Sequence, residues 1–244
     1  MKWFFTLFLL FFMTSTTIAQ TDFKARQLTF ERVRTAYKEK WSALKAELAT
    51  AGIMGAFNLY IAAYKNESRL ELWVKDTDKK QYQLFKVYSF CASSGTLGPK
   101  LKEGDLQTPE GFYHIHAFNP KSNFFLSLRV NYPNGVDRLR SGKEKPGGDI
   151  YIHGSCVTVG CIPLTDNKIK EVYVLATEAK NAGQQQIPIH IFPFKMSTAN
   201  LNEQLLRFPQ QKNLWETLRV GYDYFEKNKL VPTVTELNGK YIIK

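Results

Sequence analysis

Two side chains with the chemistry of a nucleophile and a base, Cys161 and His153, lie eight residues apart in the sequence. Gly154 follows the histidine and Gly160 precedes the cysteine, so the chain is free to leave a strand and to turn tightly before the thiol. We expect a helix to begin within about five residues of the thiol and to lower its pKa through its free amides and dipole. The histidine would take the thiol proton and later protonate a leaving amine, while backbone amides around Gly160 and Cys161 would bind an oxyanion. The pattern therefore suits a cysteine nucleophile with a histidine as its base.

The segment that leads into the histidine alternates in polarity, as a strand does. Ile150 and Ile152 are expected to face the core, while Asp149, Tyr151 and His153 share the other face. The imidazole could be oriented by Asp149, by Tyr151 or by a main-chain carbonyl, and the sequence leaves all three open.

The cysteines allow other interpretations of this segment. The chain has three cysteines, so at least one thiol of an exported protein stays unpaired. Cys91 and Cys156 either form a disulfide, which we favour, or are both inert. A zinc site made of His153 and the three cysteines is an alternative, but the spacing matches no common zinc finger, and we expect no metal. A buried strand histidine beside a buried structural thiol is the other alternative.

The first residues resemble a secretory signal peptide, assigned to residues 1–19. An apolar run from Trp3 to Met13 follows a single early charge, Lys2, and Thr17 and Ala19 occupy the small-residue positions of a cleavage site. An uncleaved N-terminal anchor is the alternative. We expect a protein secreted across the inner membrane to the periplasm or cell envelope, with no stable membrane span after cleavage.

The charge of the chain also bears on its partners. Lys and Arg number 33 against 22 Asp and Glu, a formal net charge of +11. The basic residues are dispersed and do not form the dense runs of nucleic-acid-binding tails, so no nucleic-acid partner is expected. A basic surface on an exported protein fits an anionic polymer such as cell wall, although it also serves simple solubility.

Periodicity divides the rest of the chain into three parts. Residues 20–55 show helical spacing, and residues 56–195 show short β-rich runs with one embedded helix, for which Asp166 is the expected N-cap. Residues 196–244 are assigned to a helical extension that is interrupted at Pro209. His190 alternates with isoleucines and is expected to be exposed. These patterns alone indicate a mixed fold with a β-rich core and terminal helices.

The segment around the thiol resembles the active-site motif of the L,D-transpeptidase (YkuD-like) family. That motif has His-Gly at a strand end, a variable loop, and then Ser/Thr-His-Gly-Cys followed by an aliphatic residue. Here His153-Gly154 matches the first part, and Thr158, Gly160, Cys161 and Ile162 match the second. Residues 108–113 (Thr-Pro-Glu-Gly-Phe-Tyr) resemble the Thr-Pro-x-Gly-x-Phe segment of the family, and the resemblance extends over residues 57–194.

This resemblance implies a fold, a reaction and partners. The fold is mainly β (α+β overall): a YkuD-like β-sandwich catalytic domain with an inserted helix and flanking N- and C-terminal helices. The reaction is acyl transfer on peptidoglycan stem peptides, with a thioester on Cys161, His153 as base and no cofactor. The partners are peptidoglycan and, in one branch of the family, wall-linked lipoprotein.

Two departures from the motif leave the outcome of the reaction open. The histidine before Gly-Cys is Val159 here, and the arginine that usually follows Cys-Ile is Pro163. Both changes, with the short loop, resemble the YafK-like branch, which includes hydrolases that detach lipoproteins from the wall. A hydrolase is therefore the alternative to a transferase, and a non-catalytic wall-binding module is a weaker one. Candidate substrate-binding residues are Thr158, Arg129 and Lys100.

Overall fold

A computed structural model of the protein describes residues 23–244, so the expected signal peptide lies outside the described residues. Six α-helices occur in this part of the chain: α1 (Phe23–Leu28), α2 (Glu31–Thr50), α3 (Gly135–Arg140), α4 (Asp166–Asn181), α5 (Thr198–Arg207) and α6 (Lys212–Asn228). A short 3-10 turn, Pro209–Gln211, separates α5 from α6. The interruption expected at Pro209 is therefore found.

Ten strands accompany these helices: β1 (Phe57–Tyr64), β2 (Arg69–Asp76), β3 (Gln83–Ser89), β4 (Gly111–Asn119), β5 (Ser127–Val130), β6 (Tyr151–His153), β7 (Ile162–Pro163), β8 (Pro188–Phe192), β9 (Val234–Leu237) and β10 (Lys240–Ile243). The first eight form one mixed sheet in the order β3-β2-β1-β8-β4-β5-β6-β7. β9 and β10 form a separate antiparallel hairpin. The sequence predicted a purely helical C-terminal extension, so this hairpin corrects it.

Strand β4 joins two halves of the large sheet. Its first residues, Gly111 to His114, pair with β8, and its later residues, Ile115 to Asn119, pair with β5. The site strands β6 and β7 are thus connected through β5 to the central strands β8 and β1, which run parallel to each other. The α+β class expected from the sequence is confirmed.

Helices cover both faces of this sheet because its central strand is apolar on both sides. On β1, Leu59 and Ile61 belong to a core that also contains α2 and α4, including Leu44 and Val172. Tyr60 and Tyr64, which point the other way, belong to a second core built with α5, α6 and the hairpin. The inserted helix therefore covers one face of the sheet, and the C-terminal helices cover the other.

Two expectations about single residues need correction. His190 on β8 is 2% exposed, because it lies among the rings of Tyr60, Phe112 and Phe192 and not at the surface. Both faces of this strand are buried, so alternation with isoleucine does not place a residue in solvent. Helix α4 begins at Asp166 itself, with Thr165 as the preceding cap residue.

Within residues 23–244, no helix combines the length and the apolar character needed to cross a bilayer.

Candidate active site

The pairing of β6 with β7 brings the predicted nucleophile and base to neighbouring strands. The two strands run parallel, with Ile152 opposite Ile162 and His153 opposite Pro163. Cys161, immediately before β7, therefore lies beside the strand that ends in His153. A backbone bond of 2.8 Å from Leu164 N–H to the His153 carbonyl fixes the register beyond the site.

The imidazole of His153 is held by a main-chain carbonyl. Its Nδ1 lies 2.5 Å from the carbonyl oxygen of Gly154. A carbonyl only accepts, so Nδ1 carries the proton and Nε2 is left as an acceptor. His153 is 1% exposed, and this burial lowers its pKa, against the opposing effect of the Gly154 carbonyl. The arrangement is that of a neutral imidazole able to accept a proton at Nε2.

Of the three orienting groups that the sequence left open, the structure thus contains the main-chain carbonyl. Asp149 and Tyr151 bond to each other instead, with 3.2 Å between the phenol oxygen and the carboxylate. Asp149 also pairs with Arg129 at 3.3 Å. The backbone of Asp149 has a φ of +57°, which takes this residue out of the regular alternation that the sequence predicted.

Cys161 is partly buried. Among residues 23–244 it is the one cysteine outside a disulfide. Its Sγ lies 3.4 Å from the carbonyl oxygen of Asp149. Burial raises the pKa of this thiol; the backbone bond from Tyr151 and the charge of Lys100 oppose the rise, and the charge of Asp149 adds to it.

The expectation of a lowered thiol pKa is therefore wrong for this structure. Helix α4 begins at Asp166, within the expected five residues of the thiol, but strand β7 lies between them in the chain. The Asp166 carboxylate accepts a bond of 2.9 Å from Ser155 N–H, in the loop that follows His153. The first residue of α4 is thus bonded to this loop through its side chain.

The turn before Cys161 requires glycine. Gly160 has a φ of +137°, and a Cβ there would lie 2.7 Å from the carbonyl oxygen of Gln107. Thr158 holds the turn: its hydroxyl donates to the Cys161 carbonyl at 2.8 Å and accepts from Gly160 N–H at 3.1 Å. The Gly160 amide is thus already bonded, which leaves the Cys161 amide as the oxyanion donor of the predicted pair.

Gly154 is a second position at which a side chain would collide. A Cβ on it would lie 2.6 Å from the Asp166 carboxylate and 2.9 Å from the Phe124 carbonyl. The ring of Phe124 lies over the imidazole of His153, with 4.7 Å between centroids. This close packing explains why His153 is buried at the end of a strand.

A disulfide joins Cys91 to Cys156 in the structure. It ties the end of β3 to the loop between His153 and Cys161, and Cys91 N–H also donates to the Pro163 carbonyl at 3.1 Å. Two of the four donors of the alternative zinc site are consumed in this bond. Residues 23–244 contain no group of three or more His, Cys, Asp or Glu side chains arranged to hold a metal ion.

A cleft of about 280 Å³ opens at the thiol. Its wall combines Cys161 with the loop that follows β3, with Thr108, and with two residues that end α5, Arg207 and Phe208. His153, being buried, is not part of this wall. A larger groove of about 910 Å³ runs between α6 and the hairpin, but it contains neither Cys161 nor His153.

The predicted substrate-binding residues lie at different distances from this cleft. Lys100 is buried and bonds to the Asp105 carboxylate at 2.6 Å and to the Lys102 carbonyl at 2.9 Å. Arg129 lines another surface groove, of about 490 Å³. None of Thr158, Arg129 and Lys100 lines the cleft at Cys161, so the structure does not bring them together there.

A buried carboxylate behind the cleft was not recognised from the sequence. Glu110, fully buried, accepts from Lys65 Nζ at 3.0 Å, from Gly98 N–H at 2.7 Å and from Trp215 Nε1 at 2.8 Å. Lys65 also donates to the carbonyl of Thr108 at 2.9 Å. The signal that could have revealed this role is a carboxylate in an apolar segment that enters a buried strand. Glu110 connects the cleft wall to helix α6.

Comparison with known proteins adds to this geometry. A family model described as the L,D-transpeptidase catalytic domain (YkuD) matches residues 58–191. The Escherichia coli (strain K12) protein named "Putative L,D-transpeptidase YafK" is 38% identical over 187 residues, which span 76% of this chain and 73% of that protein. Among solved structures, the helical cell shape determining protein Pgp2 from Campylobacter jejuni has a TM-score of 0.44 at 19% identity, covering 74% of this chain and 73% of that one. Bd1075 from Bdellovibrio bacteriovorus has a TM-score of 0.41 at 19% identity, covering 74% and 77%.

Proposed function

The chain belongs to the YkuD family of L,D-transpeptidase catalytic domains, and we propose that it is an exported cysteine acyltransferase acting on peptidoglycan stem peptides. One observation carries the proposal. The pairing of β6 with β7 sets Cys161, whose thiol is outside any disulfide, in the wall of a cleft and beside the strand that ends in His153. The bond from Nδ1 to Gly154 leaves Nε2 of that histidine free to act as a base.

In the proposed reaction, the Cys161 sulfur attacks the carbonyl on the L-centre of a diamino acid in the stem peptide. The thiol proton moves to Nε2 of His153, and the tetrahedral intermediate then expels the amine of a D-amino acid or of a protein. His153 returns the proton to that leaving amine, and a thioester remains on Cys161. An amine from a neighbouring stem, or water, attacks the thioester and restores the thiol. Neither a metal nor an organic cofactor takes part.

The electrostatics of the pair favour general-base catalysis over a resting ion pair. Burial raises the pKa of the Cys161 thiol and lowers the pKa of the His153 imidazole, so both groups are neutral before substrate arrives. The proton therefore moves as the sulfur attacks. The Cys161 amide is the candidate donor to the oxyanion, since the Gly160 amide is bonded to Thr158.

A hydrolase of the same fold is the second candidate, and the residues that flank the nucleophile favour it. Pro163 stands where the motif has an arginine, and Val159, 71% exposed, stands where it has a histidine. Without these polar groups, an acceptor amine is held less firmly, while water is always present. Such an enzyme would act as an L,D-endopeptidase or amidase that releases stem-linked groups or lipoproteins from the wall.

The proposed setting is the periplasm or cell envelope, with peptidoglycan as substrate. The signal-like residues 1–19 support export, and the formal net charge of +11 suits an anionic polymer. The proposed catalytic domain spans residues 56–195, flanked by the helical segment 20–55 and the extension 196–244. The extension supplies part of the cleft wall through Arg207 and Phe208.

Incubation with tetrapeptide muropeptides and with wall-bound lipoprotein tests both candidates. Mass spectrometry should detect an acyl adduct on Cys161 and products that are absent with Cys161→Ala. Cross-linked dimers or D-amino-acid exchange products would refute the hydrolase. Released monomers or freed protein alone would refute the transferase, and no Cys161-dependent product of either kind would refute the enzyme.

A further inference from the structure

The end of helix α5 places a guanidinium group at the cleft that contains the thiol. Arg207, the last residue of α5, lines this cleft together with Cys161 and Phe208. The Arg207 guanidinium lies 5.6 Å from the centroid of the Phe208 ring. That ring packs against Trp215 at 5.9 Å, and the Trp215 indole donates to buried Glu110. Arg207 is therefore positioned by a chain of contacts that leads into the core.

The charge of Arg207 is uncompensated in this part of the molecule. Lys65 is the other cation of the cleft wall, and it is already bonded to Glu110 and to the carbonyls of Gly98 and Thr108. Arg207 forms no ion pair with any carboxylate of residues 23–244. An exposed guanidinium in a cleft, without an internal partner, is suited to an anion supplied by a ligand.

The arginine that usually follows Cys-Ile in the family motif is replaced here by Pro163, which carries no charge. Pro163 is buried on β7 and its carbonyl accepts from Cys91 N–H, so nothing on this strand can bind a carboxylate through a side chain. We propose that Arg207 takes over this task from the C-terminal extension: it binds the carboxylate of the D-amino acid next to the scissile amide. This inference rests on the proposed function and adds a specificity-determining residue to it.

Two matched substrates separate this role from a structural one. One is a stem tetrapeptide that ends in D-alanine, and the other is the same peptide ending in D-alaninamide, which lacks only the negative charge. For Arg207→Gln, KM for the acid peptide should rise about tenfold, the lower range for a charge-assisted hydrogen bond. The kcat for the acid peptide and both constants for the amide peptide should change little. Arg207→Lys should lie between the two because it lacks the planar fork.

Lys212→Gln provides the control for a lost positive charge. Lys212 begins α6, its side chain is 63% exposed and it does not line the cleft, so its loss should leave KM for both peptides unchanged. Equal effects of Arg207→Gln on both peptides, or no effect on either, would overturn the proposal. A loss of thermal stability with a uniform loss of rate would also overturn it, because that is the result of removing a cation from the end of a helix.

Binding to Cys161→Ala protein, measured by titration calorimetry, gives the same readout without turnover. In this background, Arg207→Gln should weaken binding of the acid peptide about tenfold and leave the amide peptide unaffected. If wild-type protein forms no product and no thioester, the proposed chemistry fails, while the calorimetry still decides the role of Arg207. Equal weakening for both peptides in this assay, or none, rejects that role.

Discussion

The ring of Phe124 lies over the imidazole of His153, with 4.7 Å between their centroids, and thereby separates the histidine from water. The imidazole pKa falls because the protonated form is poorly solvated there. Only the neutral form can take a proton from Cys161, so the base stays active to lower pH than an ordinary histidine does. The dependence of the rate on pH should therefore reflect the lowered pKa of His153.

The acidic limb of the pH–rate profile should have its midpoint below about 6.5, the usual value for histidine. Phe124→Ala should move the midpoint upwards, since hydration of the imidazolium improves. His153→Ala should lose rate by a factor on the order of a hundred or more and should lose this limb altogether. The measurement is kcat/KM for muropeptide turnover across pH 4–8, roughly the range in which histidine titrates. Normal turnover by His153→Ala would exclude the proposed base.

The two cysteines of the site loop should behave differently. Cys161→Ala should abolish turnover and leave the thermal midpoint nearly unchanged, because the thiol is only partly buried. Cys156→Ala should retain activity with lower stability, since it opens a disulfide between residues 65 positions apart; the loss is roughly 2–4 kcal/mol. Active Cys161→Ala alongside inactive Cys156→Ala would reverse the assignment. The double variant Cys91→Ala/Cys156→Ala controls for the thiol that the single change releases.

Thiol counting tests the disulfide directly. Of the three cysteines in the chain, only Cys161 should react with a thiol reagent when protein purified under oxidising conditions is unfolded without reductant. Reduction should raise the count to three. A count of three before reduction would mean that Cys91 and Cys156 are unpaired in the mature protein.

His190 should make stability depend on pH. Burial lowers the pKa of this histidine from 6.5 to about 3, so between these values the unfolded chain binds a proton that the folded protein does not. Stability should therefore fall as pH decreases through this window, by about 1.4 kcal/mol per pH unit from this group. Denaturant unfolding of wild type and His190→Gln at pH 7, 6, 5 and 4 gives the difference between the two slopes. Parallel slopes would show that His190 does not titrate in this way.

The bond between Trp215 and Glu110 should matter for stability more than the size of the indole does. Trp215→Phe keeps an aromatic ring but removes the donor to a fully buried carboxylate oxygen. The free energy of unfolding should fall by about 1–3 kcal/mol. Trp41→Phe on α2, where the ring is only partly buried, should cost less. Equal losses would mean that the effect is one of ring size alone.

Local patterns were sufficient to predict much of the fold. A mixed fold with a β-rich core, the interruption at Pro209 and the inserted helix near Asp166 follow from periodicity and from residues that act on their own backbone. The hairpin of β9 and β10 was missed because its residues are mostly exposed and carry no apolar alternation. His190 was misplaced because alternation does not reveal whether a strand is covered on one face or on both.

In the candidate site, too, the features set by neighbouring residues were predicted, and the features set by distant packing were not. Gly154 and Gly160 indicated that the chain leaves the strand and turns tightly before the thiol, whereas the two hydrogen bonds that Thr158 makes in this turn were not predicted. The contribution of Arg207 depends on where α5 packs, which no short motif encodes. The raised pKa of the Cys161 thiol likewise results from burial, a property of the assembled structure.

The contact between Glu110 and Trp215 means that the cleft is completed late in folding. These partners are 105 residues apart, and central strand β1 pairs with β8, near the other end of the catalytic domain. Such long-range pairing forms late, since distant segments must meet before either is stabilised. A chain that emerges from its N-terminus onward cannot complete the cleft until α6 has followed. In the proposed export of this chain, the thiol therefore lacks a finished cleft until helix α6 has crossed the membrane.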